Sequence, residues 1–199
     1  MRLTPVQKVL WIAAGAATLA WGGWLAAGGP SIASEVAEVE RFRPTFALPD
    51  AGGRLVTSED LRGRYQLVFF GFTNCPDVCP TTLSEVAQVM DDLGEDAARV
   101  QPVFISVDPE RDRALGLAEY TQAFHPSILG LAGSEEATRA AAASFKVFFE
   151  REEQAGAPDG YSMSHSPALY LIGPEGDWLR QFTYGTPADE ITADLRSRL

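Results

Sequence analysis

Cysteine is almost absent: the chain has two in 199 residues, and the first is Cys75. No lipobox cysteine therefore stands near the N-terminus. Positive charge is also short, with 16 Lys and Arg against 27 Asp and Glu and a formal net charge of -11. Removing the two positive charges of Arg2 and Lys8 leaves -13 on the remainder. A domain this acidic is a poor ligand for nucleic acid or an anionic lipid surface, and is better suited to a basic partner or a cation. Internal repeats are missing, and so are low-complexity tracts beyond one apolar run.

That run is the first thing present. Residues 9–34 carry no charge, and residues 9–30 are almost wholly apolar or small. This matches the ~20 residues a helix needs to cross a bilayer, with Trp11, Trp21 and Trp24 as interface anchors. A cleaved signal peptide is the rival, but its apolar core is usually ~7–15 residues and no clean small-x-small site follows. Arg2 and Lys8 precede the run and Glu35, Glu38 and Glu40 follow it. The charge bias predicts residues 1–8 in the cytoplasm, a transmembrane anchor over 9–30, a polar tether over 31–43 and a domain over 44–199 outside a bacterial inner membrane.

From residue 45 strands alternate with helices. A hairpin is expected across residues 50–53, with strands at 45–48 and 54–57, then a short helix capped by Ser58. Residues 65–72 and 100–107 read as strands buried on both faces. Helices are expected over 80–93, 112–124 and 134–145, the last capped by Ser134, with a short strand at 128–131. A strand over 147–150 and a loop over 152–161 precede a second hairpin, 168–172 with 178–183, and a final helix starts at Pro187 with Thr186 as its cap. The pattern is an α/β fold with a central mixed sheet flanked by helices.

The chemistry gathers where the first buried strand ends, in Phe72-Thr73-Asn74-Cys75-Pro76-Asp77-Val78-Cys79-Pro80. Four residues are about one helical turn, so both sulfurs can face one side. Free N–H groups at a helix start favour thiolate over thiol. A disulfide here would close a very short loop and restrict the unfolded chain little, which makes a structural staple the weaker explanation. Two thiolates leave a metal under-coordinated, and His165, in a loop just ahead of a strand, is the candidate third ligand. His125 reads as a helix C-terminal residue outside the site. A Cys, Cys, His set favours soft or borderline ions: Cu(I), then Cu(II), with zinc allowed.

Three segments together carry a resemblance: the Cys75–Cys79 stretch, Val103-Phe104-Ile105-Ser106-Val107-Asp108-Pro109-Glu110-Arg111-Asp112, and His165-Ser166-Pro167-Ala168-Leu169-Tyr170-Leu171-Ile172-Gly173-Pro174-Glu175-Gly176. In this order the chain resembles the Sco/SenC family over about residues 44–199. The resemblance implies a thioredoxin-like fold and a membrane-tethered copper chaperone that serves the dinuclear copper site of cytochrome c oxidase. It implies one copper ion on Cys75, Cys79 and His165, with Asp77 assisting nearby. Many relatives have Asp immediately before the histidine; Ser164 stands here, which leaves the orientation of the imidazole to be explained. Met163 is better read as packing than as a ligand. Two other readings share the same residues: a thiol-disulfide oxidoreductase that reduces the oxidase copper-site cysteines through Cys75 and Cys79, and a redox or copper sensor. The three-residue spacing between the cysteines differs from that of dedicated disulfide reductases. Pro76, three before Cys79, replaces the Thr of peroxiredoxins and argues against peroxidase activity.

Overall fold

The computed structural model describes residues 41–199 and, before them, Thr4, Trp11, Thr18, Leu19, Trp21 and Gly22. Most of the expected anchor over 9–30 and the tether up to residue 40 lie outside the described residues. Among the described residues, no helix is long and apolar enough to cross a membrane. The chain divides into two compact units, Met1–Arg41 and Phe42–Leu199, and every strand among the described residues belongs to the second.

β1 (Ala47–Pro49) and β2 (Leu55–Thr57) form the first hairpin of that unit. Its centre is a five-stranded sheet. β3 (Tyr65–Gly71) and β4 (Val100–Ser106) pair in parallel from Tyr65↔Val100 to Gly71↔Ser106. β5 (Leu129–Leu131) continues the parallel side. β8 (Leu169–Ile172) and β9 (Trp178–Phe182) run antiparallel beyond β3, so the order across the sheet is β5-β4-β3-β8-β9. Val68, Phe70, Phe104, Ile105 and Leu171 are completely buried. That agrees with the unbroken apolar runs, since a strand covered on both faces has no solvent side to make polar.

Helices cover both faces. α1 (Val78–Leu93) turns Leu83, Val86, Val89, Met90 and Leu93 inward and meets α5 (Ala188–Arg196). α4 (Glu135–Ser144) closes the other side, where Phe145 packs its edge on Phe70. Ser134 caps α4 as expected, its hydroxyl accepting from Ala137 N at 3.2 Å.

Several expectations are corrected. The helix expected over 112–124 is two: α2 (Pro109–Ala114) and α3 (Leu117–Phe124), separated at Gly116, whose φ of 80° breaks the helix. Ser58 makes no side-chain cap on the short 3-10 turn Glu59–Leu61; instead Asp60 accepts from Thr57 N at 2.8 Å and Thr57 Oγ1 at 2.7 Å. Thr186 does not cap α5. Glu85 reaches across from α1 and accepts from Ala188 N at 2.8 Å. The largest change is at the expected loop over 152–161. β6 (Phe149–Glu153) and β7 (Tyr161–His165) form a two-stranded ribbon, paired from Phe149↔His165 to Glu153↔Tyr161 and not hydrogen-bonded to the central sheet. His165 therefore ends a strand.

Candidate metal centre

β3 stops at Gly71 and the chain turns at once into α1. The turn is held from below: Thr73 N and Thr73 Oγ1 donate to Asp112 Oδ1 at 3.1 and 2.7 Å, while Ser106 Oγ donates to Asp112 Oδ2 at 2.6 Å. α1 starts at Val78, so Cys79 lies in its first turn and Pro80 is the third helical residue, where its missing N–H still breaks no bond. Asp77 occupies the N-cap position without a side-chain cap. The cap is Cys75, whose Sγ accepts from Cys79 N at 3.3 Å. A sulfur seated on helix N–H groups is stabilised as thiolate.

Cys79 is fully buried, and its closeness to the sheet depends on a glycine: a Cβ on Gly71 would lie 2.8 Å from Cys79 Sγ. Of the two sulfurs only that of Cys75 is half-exposed. His165 arrives on β7. Its Nε2 stands 3.6 Å from Cys79 Sγ, and its ring meets Phe69 and Phe72 edge-on, each with centroids 5.9 Å apart. Nδ1 lies 3.1 Å from the Ser166 carbonyl. When Nδ1 donates there, Nε2 is left as a lone pair for a metal; when Nε2 carries the proton, it can donate to the sulfurs instead. The backbone thus does the orienting that a carboxylate before the histidine would otherwise do.

The donor atoms of Cys75, Cys79 and His165 all lie within 4.8 Å of one another, close enough to share one metal ion. Asp77 is not among them; its carboxylate accepts from Tyr184 Oη at 3.4 Å and Thr81 Oγ1 at 3.5 Å. Its N–H helps to stabilise the Cys75 sulfur. Met163 packs against the core, and His125 is bound up with Ser127 at 2.7 Å, away from the sulfurs.

The two thiols are unequal. The pKa of Cys75 is held down to about 4, chiefly by the hydrogen bond from Cys79, against the cost of burial, with His165 and the N–H groups of Asp77 and Cys79 assisting. That of Cys79 is pushed up because its proton is held by Cys75 and its sulfur is buried. The reduced site is one thiolate hydrogen-bonded by one thiol.

Residues 34–199 match the SCO1/SenC family. The chain belongs to the SCO1/SenC family. A SCO2-like protein of Rickettsia felis is 36% identical over 151 residues, 76% of this chain and 74% of that protein. The structure of Bradyrhizobium japonicum ScoI with copper bound matches at TM-score 0.72 and 35% identity, covering 79% of this chain and 99% of that one. BsSco, described with a disulfide switch and as a member of the Sco family of cytochrome c oxidase assembly proteins, matches at TM-score 0.61 and 25% identity over 79% and 93%. The expected thioredoxin-like arrangement of the Sco fold is thereby met.

Some residues that shape this SCO1/SenC site are not legible as functional from the sequence. Asp112 and Gly71 carry no mark of their position beneath the sulfurs. The available signal is a charged cluster, Asp108 to Asp112, placed directly after a buried strand where solvent-facing charge is not expected.

Proposed function

We propose that this chain is a copper chaperone, tethered by residues 9–30 to the inner membrane with its domain outside, which passes copper to the dinuclear copper site of cytochrome c oxidase. The observation that supports it is the convergence of two sulfurs and one imidazole nitrogen within 4.8 Å. Such a donor set suits Cu(I) and tolerates Cu(II). Copper here is cargo. Cys75 is already ionised when it binds, and Cys79 must give up its proton. Cys75 is half-exposed and Cys79 buried, so a partner's ligand approaches beside Cys75 and His165, and Cys79 is the last donor released.

The test is metal retention by the reduced full-length chain after loading with Cu(I) or Cu(II) and dialysis. The wild type should keep one copper per chain; Cys75→Ser, Cys79→Ser and His165→Ala should each lose stoichiometric retention. Full retention by His165→Ala would remove the imidazole from the site.

The unequal thiols favour a second reading, a thiol-disulfide reductase acting on the same oxidase subunit. A half-exposed thiolate beside a buried thiol is an arrangement suited to attack on a disulfide. The readings separate at His165→Ala, which should cripple copper retention and leave dithiol exchange nearly intact.

A further inference from the structure

The ribbon that carries His165 is not part of the central sheet, so something else must fix the distance from imidazole to sulfur. Arg111, on α2, is placed to do this. Its side chain is 7% exposed, and Nε pairs with Asp108 Oδ2 at 2.6 Å. Its guanidinium carbon sits 4.1 Å from the centre of the Tyr161 ring and 5.9 Å from that of Phe72. Tyr161 opens β7, and Phe72 directly precedes the cysteine turn. Tyr161 Oη donates back to Asp108 Oδ2 at 3.0 Å. Arg111 Nη1 also reaches the Pro158 carbonyl at 3.4 Å, in the turn between β6 and β7. Its Nη2 finds no acceptor among the described residues, as suits a cation held by ring faces.

We infer that Arg111 is a positioning residue: with Asp108 it clamps Tyr161 of the histidine ribbon to Phe72 of the cysteine arm, and so sets the reach of His165 to the sulfurs. Phe72, on which the clamp closes, itself meets the His165 ring edge-on with centroids 5.9 Å apart. The planar, permanently charged guanidinium can stack on a ring while pairing with a carboxylate, which the point charge of a lysine cannot do equally well. This inference rests on the copper reading for its purpose and on geometry alone for its existence, and its test separates the two.

The full-length chain is compared with Arg111→Met, Arg111→Lys and Tyr161→Phe. Amide hydrogen exchange of the reduced, metal-free protein reads the ribbon, and the nitrogen hyperfine coupling of the Cu(II)-loaded protein reads the imidazole. In Arg111→Met the amides of β7 should exchange about tenfold faster while those of β3 and β4 keep their rates, as expected for local opening. The nitrogen coupling should weaken, and Arg111→Lys should recover part of both effects. Unchanged β7 exchange, or equal acceleration in β3 and β4, would overturn the clamp. If Arg111→Met does not fold, Tyr161→Phe decides: it removes only the hydroxyl bond to Asp108, and unaltered β7 exchange there rejects the proposal. Faster β7 exchange in variants of a protein whose wild type shows no nitrogen coupling would uphold the clamp and count against copper ligation by His165.

Discussion

Cys75 and Cys79 are four residues apart and chemically opposite, and this difference is testable residue by residue. The pKa of Cys75 is held at about 4, whereas a free thiol lies near ~8.5. Alkylation of the reduced apoprotein should therefore run at Cys75 at a nearly constant rate from about pH 5.5 to 8, where a free thiol would speed up roughly tenfold per unit. The same displacement carries a stability consequence. Its folded-state value lies below the unfolded one, so the ionised sulfur's contribution is full above the unfolded value and is lost as pH falls through about 4. Denaturant titrations of the reduced protein should show wild type losing its advantage over Cys75→Ser on going from about pH 8 to pH 5; a difference independent of pH would count against a thiolate at Cys75. Gly71 makes the second prediction at this scale. An added methyl would meet Cys79 Sγ at 2.8 Å and ring carbons of Phe69 and Phe104 at 2.9 Å. Gly71→Ala should cost about 1–3 kcal/mol in urea denaturation, as overpacking in a filled core does. It should also weaken copper retention by shifting the buried sulfur. Cys75, Cys79 and His165 are legible in the sequence because their atom types announce the chemistry. Gly71 and Asp112 are not, because one acts by having no side chain and the other by bonding a neighbouring turn from a distant segment.

Among the elements, legibility follows periodicity. The runs that form β3 and β4 are apolar throughout, and α1 repeats its apolar residues at helical spacing, so both kinds are readable. Most of β6 is not, and its burial explains why: Phe149 is buried and the four residues after it are exposed, giving no alternation for a strand to reveal. Its partner β7 is only partly buried beyond Tyr161. The break at Gly116 is hidden for another reason, since apolar spacing on both sides of it continues as if one helix ran through. Caps divide in the same way: Ser134 is local and readable, whereas the acceptor at the start of α5 is Glu85, 103 residues away in sequence. Glu85→Ala should destabilise the domain by about 1 kcal/mol, the usual cost of losing a helix cap, and Glu85→Gln should restore most of it by keeping an acceptor oxygen. Equal stability of wild type and Glu85→Ala in urea would show that water serves the Ala188 N–H equally well.

On the scale of the whole domain, the chain enters at the end of the sheet opposite to the sulfurs. Trp178 N donates to Phe42 O at 2.8 Å, and the two rings lie 5.2 Å apart. Trp178 pairs with Ile172, which pairs with Gln66 near the start of β3, whereas the cysteine turn follows the end of that strand. Seven residues of β3 at ~3.3 Å each put about 20 Å between the two ends. Cys75, Cys79 and His165 all belong to residues 42–199. What the proposed anchor would add is concentration: with this chain and an oxidase subunit in one membrane, their encounter would become near-intramolecular. Residues 42–199 exported without the anchor should bind one copper per chain with the same dependence on Cys75, Cys79 and His165. In cells lacking the full chain, that untethered domain should need at least about tenfold higher expression to restore copper-replete oxidase, as expected when effective concentration is lost. Equal restoration at equal expression would show that the domain finds its partner by diffusion. The acidic surface would then be the feature to examine, because attraction of a net -11 body to a basic partner weakens with salt whereas a membrane tether does not.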